Sequence, residues 1–282
     1  MSSRDVVNVV QRRLRSHRET KKVKVGHCGT LDPLAEGVLM LAVGSASRLV
    51  PYIQQQPKRY LGRFRLGQSS PTGDLEMEVT HHDELPIPTL AQLQEQATCM
   101  LGQIQQTPPA YSAVWVNGKR AYDRVRGGED VDMPSRTVTI DSLDIIAYDF
   151  PEIELDIVCG SGTYIRTLGM DLAAAVGSRA VMSYLQRVSI GSLRIEDAVS
   201  IDQLREDDLA SLLRPANVAV TQLPKVVIDD EMSQRLGHGL CIDASPNPEP
   251  TTDDDVAAIT RDGRLRAILR WKRQQWCPYR VF

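Results

Sequence analysis

No stretch of this sequence approaches the roughly 18 uninterrupted apolar residues of a membrane-spanning helix. Its first residues, "MSSRDVVNVVQRRLRSHRETKK", lack the apolar core of a secretory signal. The five cysteines, Cys28, Cys99, Cys159, Cys241 and Cys277, are odd in number, widely spaced and include no C-x-x-C pair. That pattern argues against a zinc site, predicts no disulfide framework, and fits a reducing cytosol. No internal repeat is present. What the chain does have is length and apolar content: 282 residues, 42% of them hydrophobic, enough for one large domain and a small one.

The net charge of −3 conceals an asymmetry. Residues 1–66 hold 13 Lys/Arg against 4 acids, whereas the remainder holds 20 against 32. A basic lobe on an acidic protein suits a polyanion lying across one face, although a solvated helix face explains "QRRLRSHR" equally well. A second basic stretch, Arg261 to Arg280, is interleaved with Trp271, Trp276 and Tyr279, a mixture that RNA-contacting modules use.

The pattern along the chain predicts a mixed α+β architecture. "SSRDVVNVVQRRLR" reads as a helix capped by Ser2 or Ser3, with Val6, Val7, Val10 and Leu14 on one stripe. "GVLMLAVG" (37–44) reads as one buried strand, "SASRLVPYIQQQ" as helix and "KRYLGRFRLG" as strand. After the turn-rich "GQSSPTGD" come the helix "TLAQLQEQATCMLGQI" and three or four strands within "YSAVWVNG", "SRTVTIDSLDIIAY" and "PEIELDIVCGSG". "TYIRTLGMDLAAAVG" is a helix, "AVMSYLQRVSIG" a short helix running into a strand, and "SIDQLREDDLASLL" a capped helix. Strand runs broken by single helices indicate a mixed, mostly antiparallel sheet flanked by helices rather than βαβ winding. From about Leu223 the texture changes to short strands, predicting a small all-β domain over 223–282 behind a larger one over 1–215.

"GHCGTLDPLAEGVL" (26–39) uses two glycines, a histidine, a cysteine and a proline around Asp32. His27, Cys28 and Asp32 lack the further ligands a metal would need. Catalytic Cys–His pairs meet in space rather than as sequence neighbours. Two readings stay open: a plain Asp-Pro turn, and a carboxylate held rigidly in a loop to react with a bound substrate. Candidate partners are Tyr60, beside Lys58 and Arg59, and Arg166, two residues after Tyr164. An arginine aimed at Asp32 would keep it ionised, and an aromatic ring could stack on a nucleobase.

Four blocks, "VGHCGTLDPLAEGVL", "KRYLGRFRLGQSSPTGD", "PPAYSAVWVNGKRAYDRVRGGE" and "GTYIRTLGMDLA…YLQRVSIG", appear in order across residues 1–200 and resemble the TruB family of tRNA pseudouridine synthases. The tail, with "RLGHGLCI" and its basic, Trp-containing end, is similar to the PUA-like β domain of such proteins. The resemblance implies isomerisation of the T-arm uridine 55 of tRNA to pseudouridine, in the cytoplasm, without metal or other cofactor and without an obligate protein partner. It places Asp32 on the catalytic aspartate, Tyr60 on the tyrosine that stacks on the target base and Arg166 on the arginine that pairs with the aspartate. His27 falls on the histidine that fills the gap left by the flipped nucleotide, and Leu185 and Tyr164 on residues lining the pocket. Lys58 and Arg59 are expected to bind substrate.

The chain departs from the family pattern in several places. The family has a strand and a Lys-Pro turn ahead of the "MSSRDVV" helix, so an upstream segment or an absent edge strand is expected. Cys28 and Glu36 stand where threonine is usual or common, Trp115 replaces a basic residue, and Gln186 stands where arginine is frequent. The alternative reading is a non-catalytic RNA-binding or RNA-folding protein that keeps the same fold. A subunit guided by a separate RNA, of the dyskerin kind, fits less well because no long basic tail is present.

Overall fold

The computed structural model describes all residues except 17, 110, 112–114, 117, 121–123, 125–126, 130–132, 247–248, 250, 252–253 and 273. About half of the "YSAVWVNGKRAYDRVRGGE" block lies outside the described residues, as does the Trp115 side chain. Two compact units make up the chain: 1–33 with 39–56 and 196–282, and 34–38 with 57–195.

The second unit is built on one long sheet. Its strands run in the spatial order Leu193–Arg194, Ala180–Ile190, Lys58–Leu66, Glu152–Cys159, Arg136–Asp149, Gly102–Gln106. Every neighbouring pair in that row is antiparallel, and Ala35–Gly37 adds a short parallel strand beside Ala180–Ile190. The α+β class is as expected. Along Lys58–Leu66 the even positions are buried and Arg59, Arg63 and Arg65 are exposed, the period of two that lets a strand serve a core and water at once. Tyr60, Phe64, Leu155 and Ile157 pack there against Leu168 and Leu172 of the helix Ile165–Ala175 and Leu93 of the helix Leu90–Cys99.

Three expectations change in register or type. The segment read as one strand over 37–44 is interrupted: Ala35–Gly37 and Leu41–Val43 are strands in different sheets. "AVMSYLQRVSI" is strand throughout, because pairing along its whole length with Lys58–Leu66 outweighs the helical spacing of its apolar residues. The helix of "TLAQLQEQATCMLGQI" ends at Cys99, and its last residues open the strand Gly102–Gln106.

In the first unit the helix Ser3–Arg15 is capped by Ser2, whose hydroxyl and Asp5 form a reciprocal capping box, and it buries Val7 and Val10. Val25–His27 pairs antiparallel with Leu41–Val43. The C-terminal sheet has the order Lys225–Ile228, Val256–Thr260, Leu265–Lys272, Gln275–Val281, with the first pair parallel. It is not all-β: the helix Asp230–Gly237, capped by Asp229, buries Leu236 in its core. The helix Val50–Gln55 is fastened to this sheet by the Tyr52 hydroxyl, which donates to Asp255 at 2.5 Å. Burial and that acceptor push the Tyr52 phenol well above its ordinary pKa.

Cys241 and Cys277 form a disulfide, which corrects the expectation of none. The reason lies in the sheet. Ile242 and Trp276 exchange both main-chain hydrogen bonds, which sets the neighbouring Cys241 and Cys277 as a close pair across the two segments, Cα–Cα 4.1 Å. A sequence separation of 36 hides that register. Cys28 and Cys159 are buried thiols outside that disulfide, and Cys99 is an exposed one. Among the described residues no helix is long and apolar enough to cross a membrane, and no group of three or more His, Cys, Asp or Glu could hold a metal ion.

Candidate active site

In the first unit, His27 ends the strand Val25–His27 opposite Leu41, and the Cys28 amide donates to the Met40 carbonyl at 2.8 Å. Cys28 is 2% exposed, so the most reactive-looking side chain of the motif is packed away. The loop then turns through Leu31 to Asp32, which is half-buried. One side chain holds this approach. Ser3, buried on the first helix, accepts from the Leu31 amide at 2.9 Å and donates to the Leu31 carbonyl at 3.2 Å.

In the second unit, Arg166 enters the first turn of its helix at 4% exposure. Its guanidinium pairs with Asp74 at 3.0 Å, and both side chains are almost completely buried. It also donates to the carbonyls of Thr72 and, at 3.4 Å, of Tyr111. Asp74 accepts from the Thr72 hydroxyl at 2.6 Å and the Glu76 amide at 3.1 Å, so both charges are paired and hydrogen-bonded, as burial demands. The turn that carries Asp74 can lie this close only through glycine: Gly73 has φ +73, and a Cβ there would stand 2.6 Å from the Met170 sulfur. A cleft of about 220 Å³ opens beside the pair, lined by Pro71, Thr72, Gly73, Tyr111, Thr167 and Met170.

Tyr164 precedes that helix and is fixed by Gln106, which is fully buried. The Gln106 amide oxygen accepts from the Tyr164 N–H at 2.8 Å, and its nitrogen donates to the Tyr164 carbonyl at 3.1 Å. The Arg136 guanidinium lies 4.6 Å from the Tyr164 ring centroid. Tyr60 and Leu185 share the buried face of the long sheet, at 9% and 6% exposure.

Lys58 and Arg59 go opposite ways. Arg59 lies on the outer face in a bidentate pair with Asp156, its Nε 2.9 Å and a terminal nitrogen 2.5 Å from the two oxygens. Lys58 points inward at 9% exposure, and burial, with the Arg187 cation adding to it, pulls its ammonium pKa down to about 8. Gln186 and Glu36, both singled out in the sequence, meet in the structure. Gln186 is paired in register with Glu36 and donates to it at 3.0 Å, and Tyr184 donates to the same carboxylate at 2.5 Å. Burial and Glu36 push the Tyr184 phenol up to about 12. The sequence reading did not single out Asp74, Gln106 or Arg187, and it weighed Ser3 only as a cap. Asp74 had a visible signal, since it closes the "GQSSPTGD" turn inside a motif block, but a turn accounts for the same residues.

Solved structures with this fold include the crystal structure of the archaeal box H/ACA sRNP Nop10-Cbf5 complex, at TM-score 0.72 and 22% identity over 100% of this chain and 82% of that one. A second is the structure of an H/ACA RNP bound to a substrate RNA containing 2'-deoxyuridine, at TM-score 0.75 and 21% identity over 100% and 81%. Both share the architecture of a mixed sheet flanked by helices with a small C-terminal sheet region. Residues 15–165 match the family model described as TruB family pseudouridylate synthase, N terminal domain. Curated relatives include tRNA pseudouridine synthase B of Rhodopirellula baltica, 41% identical over 100% of this chain and 91% of the relative. That of Levilactobacillus brevis is 35% identical over 96% and 92%. The chain belongs to the TruB family of pseudouridylate synthases and is therefore an isomerase.

Proposed function

We propose that this chain is a cytoplasmic tRNA pseudouridine synthase that isomerises uridine 55 of the T-arm, with Asp32 as its reactive carboxylate. The observation that carries the reading is the sealed Arg166–Asp74 pair beside a cleft, on segments that belong to the family's motif blocks. A guanidinium held rigid by a carboxylate and two carbonyls is preorganised, and preorganised charge is what stabilises a transition state without reorganisation at the moment of reaction. In this reading Arg166 orients Asp32. Tyr60 stacks on the base, and Tyr164 and Leu185 line the pocket.

Chemistry on a uridine inside a folded T-loop requires the nucleotide to be flipped out, at a cost of a few kcal/mol. His27 fills the vacated space. The C1′–N1 bond breaks and a C1′–C5 bond forms; C5 loses a proton and N1 gains one, so substrate and product are isomers and no co-reactant is consumed. The basic residues of the N-terminal helix and following loop grip phosphates, and the C-terminal sheet region acts as a PUA-like RNA-binding part. Lys58 and Arg59, the first two residues of the strand that bears Tyr60, contribute to substrate binding.

The test is to incubate the protein with unmodified tRNA transcript and map pseudouridine. Product at the T-loop uridine, abolished by Asp32→Asn, is expected. Tight binding without product would instead make the chain a non-catalytic RNA-binding protein. Normal turnover by Asp32→Asn would refute the assignment of the reactive group while leaving the function in place.

A further inference from the structure

The segment that carries Asp32 is held at two points by side chains with no assigned part in the reaction. Ahead of Asp32, Ser3 takes both main-chain groups of Leu31. Ser2, not Ser3, caps the helix, so the Ser3 hydroxyl is committed to the loop alone. Beyond Asp32, Val38 is held in the same manner by Arg187. The Val38 amide donates to the Arg187 carbonyl at 2.8 Å, and the Arg187 Nε donates to the Val38 carbonyl at 2.7 Å.

The Val38 amide makes the last main-chain bond of the short parallel pairing of 35–37 with 185–187, and there the strand predicted over 37–44 is interrupted, the Val38 carbonyl being taken by the Arg187 side chain. Arg187 is 3% exposed, and a buried guanidinium is costly to keep for packing alone. Gly37 rests directly on it, at φ +103, where a Cβ would lie 2.2 Å from the Arg187 carbonyl oxygen. Arg187 is in register with Tyr60 on one side and with Gly37 on the other, so a single residue ties the strand that bears Tyr60 to the segment that continues the chain from Asp32.

We propose that Ser3 and Arg187 are positioning residues for Asp32: each fixes one end of the 31–38 segment through a single main-chain residue, and neither touches substrate. The inference rests on the proposed function. A loop carboxylate must be held to a fraction of an ångström, and a displacement of about 1 Å can lower a rate on the order of a hundredfold.

The experiment measures single-turnover pseudouridine formation and the dissociation constant on unmodified tRNA transcript, for the wild type, Ser3→Ala and Arg187→Lys. Ser3→Ala removes one oxygen from a helix that keeps its cap. Arg187→Lys keeps the buried charge but loses the directed Nε donor. We expect the rate constant to fall at least about tenfold in both, with transcript affinity unchanged within about twofold, the signature of an interaction lost at the reacting group rather than in binding. Folding midpoints are measured alongside, so that rates refer to folded protein. Rates within about threefold of wild type in folded Ser3→Ala and Arg187→Lys would overturn the proposal. So would rate and affinity falling together. If Arg187→Lys does not fold, the Ser3→Ala rate decides. A wild type that forms no pseudouridine fails the functional reading instead, a result distinct from both.

Discussion

The two faces of the long sheet use the same kind of ion pair under opposite conditions. On the buried side, the Arg166 and Asp74 side chains retain 5% and 3% of their exposure. On the outer side, Arg59, Arg63 and Arg65 pair across strands with Asp156, Glu154 and Glu152, and the three arginine side chains remain about half exposed, at 51%, 53% and 44%. Water screens the outer pairs and competes for their hydrogen bonds. On the buried side no solvent takes over if one partner is lost. A pair is therefore important not for its distance, which is near 3 Å on both faces, but for what replaces it when it breaks.

Asp74→Ala is the largest test of that contrast. It removes the buried carboxylate that pairs with the Arg166 cation, and breaking a buried pair in this way costs about 3–5 kcal/mol. A urea midpoint should show the loss, and pseudouridine formation should fall with it in whatever fraction stays folded. Asp74→Asn keeps the shape and one acceptor and should recover part of the stability but little of the activity. A loss below about 1 kcal/mol for Asp74→Ala would mean that the interior rehydrates, and the two faces would then be energetically alike.

The sheet's faces were legible in the sequence because a period of two is local: "KRYLGRFRLG" shows it without any partner strand. The helices with apolar stripes and serine or threonine caps were legible for the same reason. What failed was whatever depends on a distant partner. "AVMSYLQRVSI" became strand because of its pairing with Lys58–Leu66, and "GVLMLAVG" broke where Arg187, some 150 positions on, takes the Val38 carbonyl. The Cys241–Cys277 register came from one bridge between segments far apart in sequence. Charge counting had the same limit. The excess of basic residues in 1–66 includes Arg59, Arg63 and Arg65, which the acids of Glu152–Cys159 neutralise locally. The exposed Lys21, Lys22 and Lys24, by contrast, form no ion pair among the described residues. The motif blocks singled out Asp32, Tyr60 and Arg166 as the residues proposed for the chemistry. Ser3, Gln106 and Arg187 were not visible because serving a neighbour's main chain leaves no sequence pattern.

Lys58 and Arg59 bring the contrast down to two adjacent residues. The folded state holds Lys58 at a pKa of about 8, below its ordinary 10.5, because burial disfavours the ammonium. Between those two values the unfolded chain binds more protons than the folded one, so this group makes stability rise with pH across that window. Below about pH 8 the buried charge is a standing cost. Lys58→Met removes that cost. The stability of the variant relative to wild type should therefore be greatest at pH 7 and should decline as pH rises through 8 to 10.5, read from denaturation midpoints at several pH values. Arg59→Gln should show no such trend, since a guanidinium does not titrate there. A flat difference for Lys58→Met would mean that its charge is solvated in the folded state.

The smallest effects belong to the outer ladder. Glu154→Gln removes the partner of Arg63, whose side chain is 53% exposed and whose guanidinium also lies 5.2 Å from the Tyr184 ring centroid. Water and the ring take over part of what the carboxylate supplied, so the expected loss is about 0.2–1 kcal/mol. Wild type and variant should converge further in 1 M salt, where the Debye length is about 3 Å and an exposed pair is screened. Asp74→Ala should keep its full cost in the same buffer, because the screening ions cannot enter. A Glu154→Gln loss above about 2 kcal/mol that persisted in high salt would show that the exposed rank behaves as a single network and not as three weak pairs. In that case the outer face, like the buried one, would be energetically organised.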